Sequence, residues 1–84
     1  MSTTEEHVRY VIARVVASVM PDLRAQDVDF ARTLSDYGCN SLDRADIVSL
    51  SMEDLGVDIP VGELSRISNL RELTDALCYQ LRSR

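Results

Sequence analysis

The sequence predicts an all-α fold, a four-helix bundle of three longer helices and one short third helix, with a long loop between the first and second. Three observations carry this. In three separate stretches apolar residues recur at intervals of three and four, the period of a helix with one buried face. Two of those stretches open with capping-box spacing, Thr3 with Glu6 and Asn69 with Glu72. Pro21 and Gly56 supply stops where the patterns end.

The first helix follows Thr3-Thr4 and carries Val8, Val11, Ile12, Val15 and Val19. Such β-branched residues favour strands, but their spacing overrides that preference. Residues 20–40 form a connection containing Asp22, Asp27, Asp29, Phe30, Leu34 and Tyr37. A loop of this length in a compact domain carries function or conceals short structure, and Phe30 and Leu34 are spaced to pin it to the core. The second helix starts at Asn40-Ser41 and runs to Leu55. Val57-Asp58-Ile59-Pro60 is extended, because proline pushes its predecessor out of the helical region. A short helix from Val61 to Arg66 is weakened by Gly62. The last helix follows Asn69, with Leu70, Leu73, Leu77 and Leu81 on one face. Residues 1–84 read as one domain, with no repeat, linker or low-complexity segment.

Bulk properties exclude several functions. With 84 residues, 45% apolar and 27% charged, the chain is a soluble globular type with a small core. A deep catalytic cleft is hard to build at this size. The net charge of −5 argues against a nucleic-acid partner, since phosphate backbones reward basic surfaces. No apolar run approaches the roughly 20 residues that span a bilayer, and the polar start MSTTEEHVRY is unlike a secretory signal. Cys39 and Cys78 make neither a disulfide framework nor a metal site and read as reduced thiols of a cytoplasmic protein. Cys78 lies in an apolar run and reads as packing; Cys39 lies ahead of a helix, where a thiolate could be mildly stabilised, but with no histidine and only Arg44 as a basic neighbour it does not read as a reactive group.

On a helical wheel of the second helix, Ala45, Ile47, Val48, Ser51, Met52 and Leu55 share a core arc. The opposite arc holds Leu42, Asp43, Asp46, Ser49, Leu50, Glu53 and Asp54. Solubility alone does not require two leucines among those carboxylates. Residues 36–63 hold Asp36, Asp43, Asp46, Glu53, Asp54, Asp58 and Glu63 against Arg44 alone, so the negative charge is concentrated on and beside this helix. Such a field steers basic partners.

Ser41 stands at the start of that helix. A serine there is ordinarily an N-cap, but Asn40 caps as well, and if Asn40 does so the Ser41 hydroxyl is free. The one histidine, His7, is distant in sequence, and no serine–histidine–acid set or nucleophile elbow is present. Ser41 is therefore a better acceptor for modification than a nucleophile. A phosphate attached to it would sit at the positive end of the helix.

Taken together, Gly38-Cys39-Asn40-Ser41-Leu42, Gly56-Val57-Asp58-Ile59-Pro60 and Asn69-Leu70 resemble the acyl carrier protein family over essentially the whole chain. Asn40 stands where that family's motif has aspartate, keeping the cap and losing a charge. The resemblance implies that Ser41 is esterified to 4′-phosphopantetheine, taken from coenzyme A by a phosphopantetheinyl transferase, and that the chain is a monomeric carrier rather than an enzyme. It also implies that partners dock on the second helix, through Leu42, Asp43, Arg44, Asp46, Ser49, Leu50 and Glu53. The runs Asp43-Arg44-Ala45-Asp46-Ile47 and Met52-Glu53-Asp54-Leu55 look more like free-standing donor carriers of polyketide β-branching cassettes. Those carriers receive acetyl from an acyltransferase and deliver it to an HMG-CoA-synthase-like enzyme, and Arg44 would be a specificity contact. The alternatives are a carrier for fatty-acid or other polyketide extension, and an unmodified helical interaction module with Ser41 as a mere cap.

Overall fold

The computed structural model describes residues 2–83 and contains helices α1 (Thr3–Val19), α2 (Ser41–Leu55), α3 (Val61–Leu64) and α4 (Leu70–Arg82), with no strand among the described residues. The predicted all-α bundle is the observed one. α1 packs on both α2 and α4. Its Val8, Val11, Ile12, Val15 and Val16 meet Ile47 and Leu55 of α2 and Leu70, Leu73, Leu77 and Cys78 of α4. Four residues from the connections, Leu34, Cys39, Val57 and Ile59, close this core.

The cap of α1 is Ser2, not the predicted Thr3. Ser2 Oγ accepts from Glu5 N at 3.1 Å, and Ser2 O accepts from Glu6 N at 3.0 Å. The run Ser2-Thr3-Thr4-Glu5-Glu6 offers the same three-residue spacing twice. A tertiary contact favours the earlier register, since Arg82 Nη2 at the end of α4 donates to Ser2 Oγ at 2.9 Å. α1 ends at Val19, just before Pro21.

The long loop contains short structure, two 3₁₀ turns at Ala25–Asp27 and Ser35–Tyr37. Leu34 is buried and Phe30 half-buried under the Arg9 guanidinium, 4.9 Å from the ring centre, so both pin the loop as expected. Thr33 and Asp36 exchange two hydrogen bonds, Thr33 N to Asp36 Oδ2 at 3.0 Å and Asp36 N to Thr33 Oγ1 at 3.2 Å. The loop also serves α4, whose first N–H groups, of Leu70 and Arg71, donate to Arg32 O and Phe30 O at 3.1 and 2.8 Å. Helix ends leave such donors unpaired, and here a distant backbone takes them.

Val57 and Ile59 are buried while Asp58 and Pro60 are exposed, as an extended segment requires. α3 stops at Leu64 rather than at the predicted Arg66. It has Gly62 inside and no side-chain cap, and Ser65 and Arg66 continue only as a turn. In α4, Asn69 Oδ1 accepts from Glu72 N at 2.8 Å as predicted. The return arm is displaced by one residue, because Glu72 Oε1 accepts from Ser68 N at 2.8 Å and Ser68 Oγ at 2.6 Å.

Candidate functional site

The site begins at a turn. Gly38 adopts φ 85°, a left-handed conformation that side chains disfavour, and ends the second 3₁₀ turn so that Cys39 points inward. Asn40 is then extended, with φ −87° and ψ −175°, and α2 starts at Ser41. Asn40 and Asp43 form a reciprocal cap: Asp43 N donates to Asn40 Oδ1 at 2.8 Å, and Asn40 N donates to Asp43 Oδ2 at 3.2 Å. The cap is Asn40, and Ser41 is left over.

Ser41 is exposed in the first turn, where backbone N–H groups have no intrahelical partners and the helix end is positive. Among the described residues its Oγ has one hydrogen-bond partner, Arg44 Nη2 at 3.4 Å. A guanidinium donates hydrogen bonds and cannot take a proton, so it does not activate the hydroxyl as a nucleophile. His7 lies exposed on α1. Arg44 makes no ion pair among the described residues, although Asp43 is its neighbour and the segment around it is acidic.

Beside Ser41 a groove of about 690 Å³ runs between α2 and the segment joining α3 to α4. Its walls include Ala45, Val48 and Met52 of α2, with Leu64 and Ile67 opposite. Ser41 and Arg44 stand in its wall as well. Ala45, expected in the core, is exposed and lines this groove; Val48 and Met52 are half-buried there, so only Ile47, Ser51 and Leu55 of the predicted arc are fully inside. An exposed primary hydroxyl at a positive helix end, next to a cation and an apolar-walled groove, fits a phosphate-linked arm.

Cys39 is not a stabilised thiolate. The thiol is buried, and burial, reinforced by the Asp43 carboxylate, pushes it above its ordinary value, while Arg44 only partly opposes this. It is a core side chain. Cys78 is also buried and its thiol raised, chiefly by burial.

The outer face of α2 has the predicted character. Leu42 is 75% exposed and Leu50 41%, with Asp46, Ser49 and Glu53 exposed around them. Two of its carboxylates are otherwise engaged: Asp43 is half-buried in the cap, and Asp54 pairs with Arg14 across the α1–α2 junction.

Comparison with known proteins adds to this geometry. The family model described as "Phosphopantetheine attachment site" matches residues 11–77. The polyketide biosynthesis acyl-carrier-protein AcpK of Bacillus subtilis (strain 168) is 33% identical over 73 residues, covering 87% of this chain and 89% of that protein. No solved structure gives a significant match.

Proposed function

The chain belongs to the acyl carrier family with its phosphopantetheine attachment site, and from that premise we propose that Ser41 bears the 4′-phosphopantetheine arm and that the protein carries acyl groups in polyketide biosynthesis. The observation that carries the assignment to Ser41 is the division of labour at residues 40 and 41: Asn40 caps α2, so the Ser41 hydroxyl is exposed and spared from holding the fold. When attached, the group supplies a thiol on which acyl units are held as thioesters. The chain's own part is to present Ser41 at a positive helix end and to offer α2 to partners. It does no chemistry of its own in this reading. The whole chain serves as one monomeric carrier domain in the cytoplasm, where its two unpaired buried thiols stay reduced.

Its partners are a phosphopantetheinyl transferase, an acyltransferase and polyketide synthase enzymes. The polyketide setting is supported by the likeness to AcpK. More narrowly, the cargo is acetyl and its receiver an HMG-CoA-synthase-like enzyme. This rests on the resemblance of the Asp43–Ile47 and Met52–Leu55 runs to donor carriers. Leu42, Arg44, Asp46, Ser49, Leu50 and Glu53 form the docking surface, apolar anchors within an acidic field that speeds encounter with basic partners. Asp43, held in the cap, contributes its charge more than a contact.

Incubation with coenzyme A and a promiscuous transferase should add the mass of one phosphopantetheine group to the wild type and none to Ser41→Ala. An unmodified wild type would overturn the assignment. Acetyl transfer to an HMG-CoA-synthase-like enzyme, set against fatty-acid synthase enzymes, then tests the narrower reading. Equal turnover with both would refute it.

A further inference from the structure

Arg44 is the one cation within the acidic stretch 36–63. It makes no ion pair among the described residues: Asp43 and Asp46, one and two residues away on the same helix, do not face it. Instead its guanidinium turns back one helical turn to Ser41 Oγ, at 3.4 Å. That distance is long for a hydrogen bond, so the contact with a neutral hydroxyl holds it only loosely. Asp43, the nearest competing anion, already accepts the Asn40 N–H, and Asn40 caps without a charge. The surroundings of Oγ therefore contain a cation with unused donors, the N–H groups of Ser41 and Leu42 at the start of the helix, and a wall of the groove.

We propose that Arg44 is an anion clamp for the arm: once Ser41 is esterified, its guanidinium grips the phosphodiester and fixes the root of the arm against the groove. This rests on the carrier reading of Ser41. The non-bridging phosphate oxygens are two bonds from Oγ, so a guanidinium already beside Oγ reaches them by a change of rotamer. The contact then becomes a charge-assisted hydrogen bond, roughly twice as strong as a neutral one, and the planar fork of arginine suits two oxygens at once. Arg44 is a positioning residue in this scheme. It is not part of the fold, since its side chain is exposed.

The test uses the full chain, unmodified and loaded from coenzyme A by a transferase, as wild type, Arg44→Gln and Arg44→Lys, with loading verified by intact mass. Phosphorus NMR of the loaded proteins is followed as sodium chloride is raised from about 0.01 to about 1 M, which shortens the screening length from about 30 to about 3 Å. The wild-type resonance should move with salt, Arg44→Gln should lose most of that movement, and Arg44→Lys should keep part of it. Loading should raise the thermal midpoint of wild type more than that of Arg44→Gln, while the unmodified forms melt together. Superimposable salt responses in fully loaded wild type and Arg44→Gln would overturn the clamp and leave the carrier reading intact. If Arg44→Gln then slowed only transfer to a partner enzyme, Arg44 would serve the docking surface alone. A wild type that gains no mass would defeat the carrier reading, and the clamp with it.

Discussion

Replacing Asn40 by alanine should destabilise the protein, and replacing its neighbour Ser41 should not. Asn40→Ala removes the 2.8 Å acceptor of the Asp43 N–H and leaves that donor without a side-chain partner. The other half of the cap, Asn40 N to Asp43 Oδ2, uses backbone and survives. The expected loss is about 1 kcal/mol, within the range of roughly 0.5–2 for removing such a cap. For a domain of 84 residues that lowers the thermal midpoint by about 4–8 °C. Asn40→Asp should stay near wild type, because aspartate caps equally well; its attraction to the helix end is offset by the Asp43 carboxylate. Ser41→Ala removes a hydroxyl bonded only to Arg44 and should stay within about 0.5 kcal/mol, as exposed substitutions away from caps and cores do. Far-ultraviolet circular dichroism during heating and in urea measures all three. A Ser41→Ala midpoint as low as that of Asn40→Ala would show that the serine caps α2, and the case for a freed hydroxyl would fall.

Two further predictions concern the frame that holds the site. Ile12→Ala, at a position with no exposed surface, should cost about 2–5 kcal/mol, a large part of the 5–15 kcal/mol that such domains possess, so its urea midpoint should fall sharply. A loss below about 1 kcal/mol would mean that the α1 face is not the centre of the core. The Glu72 carboxyl is held below its ordinary value, first by the Ser68 hydroxyl and then by the Ser68 backbone N–H. Its stabilising effect is thus present above the unfolded glutamate's value and is lost as pH falls through the lower folded one. Side-chain NMR titration should give a Glu72 midpoint below the ordinary glutamate value, and Ser68→Ala should raise it. An unchanged midpoint in Ser68→Ala would refute the hydroxyl's role.

How far the sequence discloses this molecule depends on whether a feature is local. Helical periodicity and caps are local, so α2 could be placed from Asn40 to Gly56, and the buried rows Val8-Val11-Ile12-Val15 and Leu70-Leu73-Leu77 could be read off. Where a local signal repeats itself, as in Ser2-Thr3-Thr4-Glu5-Glu6, only the contact from Arg82 across the fold chooses the register. Val16 and Thr74, both buried, fell outside the apolar pattern as read: Val16 widens the α1 stripe, and Thr74 hides its hydroxyl by donating to Leu70 O at 2.9 Å. The inward path of Cys39 follows from the left-handed Gly38 and the packing beneath it. The groove was not legible at all, because its walls come from segments as far apart as Leu34, Met52 and Ile67. The approach of Arg44 to Ser41 lies between these cases. Their spacing of three makes them neighbours on a helix, whereas Asp43 and Asp46 do not face Arg44; what the spacing leaves open is that the guanidinium turns back to the hydroxyl rather than out to solvent.

A residue that is modified by another enzyme is best left out of the hydrogen bonds that hold the fold, so that modification breaks none of them. Ser41 meets that requirement for a physical reason. The first N–H groups of a helix lack intrahelical acceptors, and a serine in such a place is normally conscripted to supply one. Here Asn40 and Asp43 satisfy each other, the core takes nothing from α2 before Ile47, and the hydroxyl is left with a single weak contact. The outer positions Leu42, Asp46, Ser49, Leu50 and Glu53 likewise carry none of the helix's full burial, which comes from Ile47, Ser51 and Leu55 on the other side. Leu42 and Leu50 therefore remain available to partners without cost to the core. α2 gives three residues to full burial and two, Val48 and Met52, to half-burial, which leaves its first turn and its outer face to solvent.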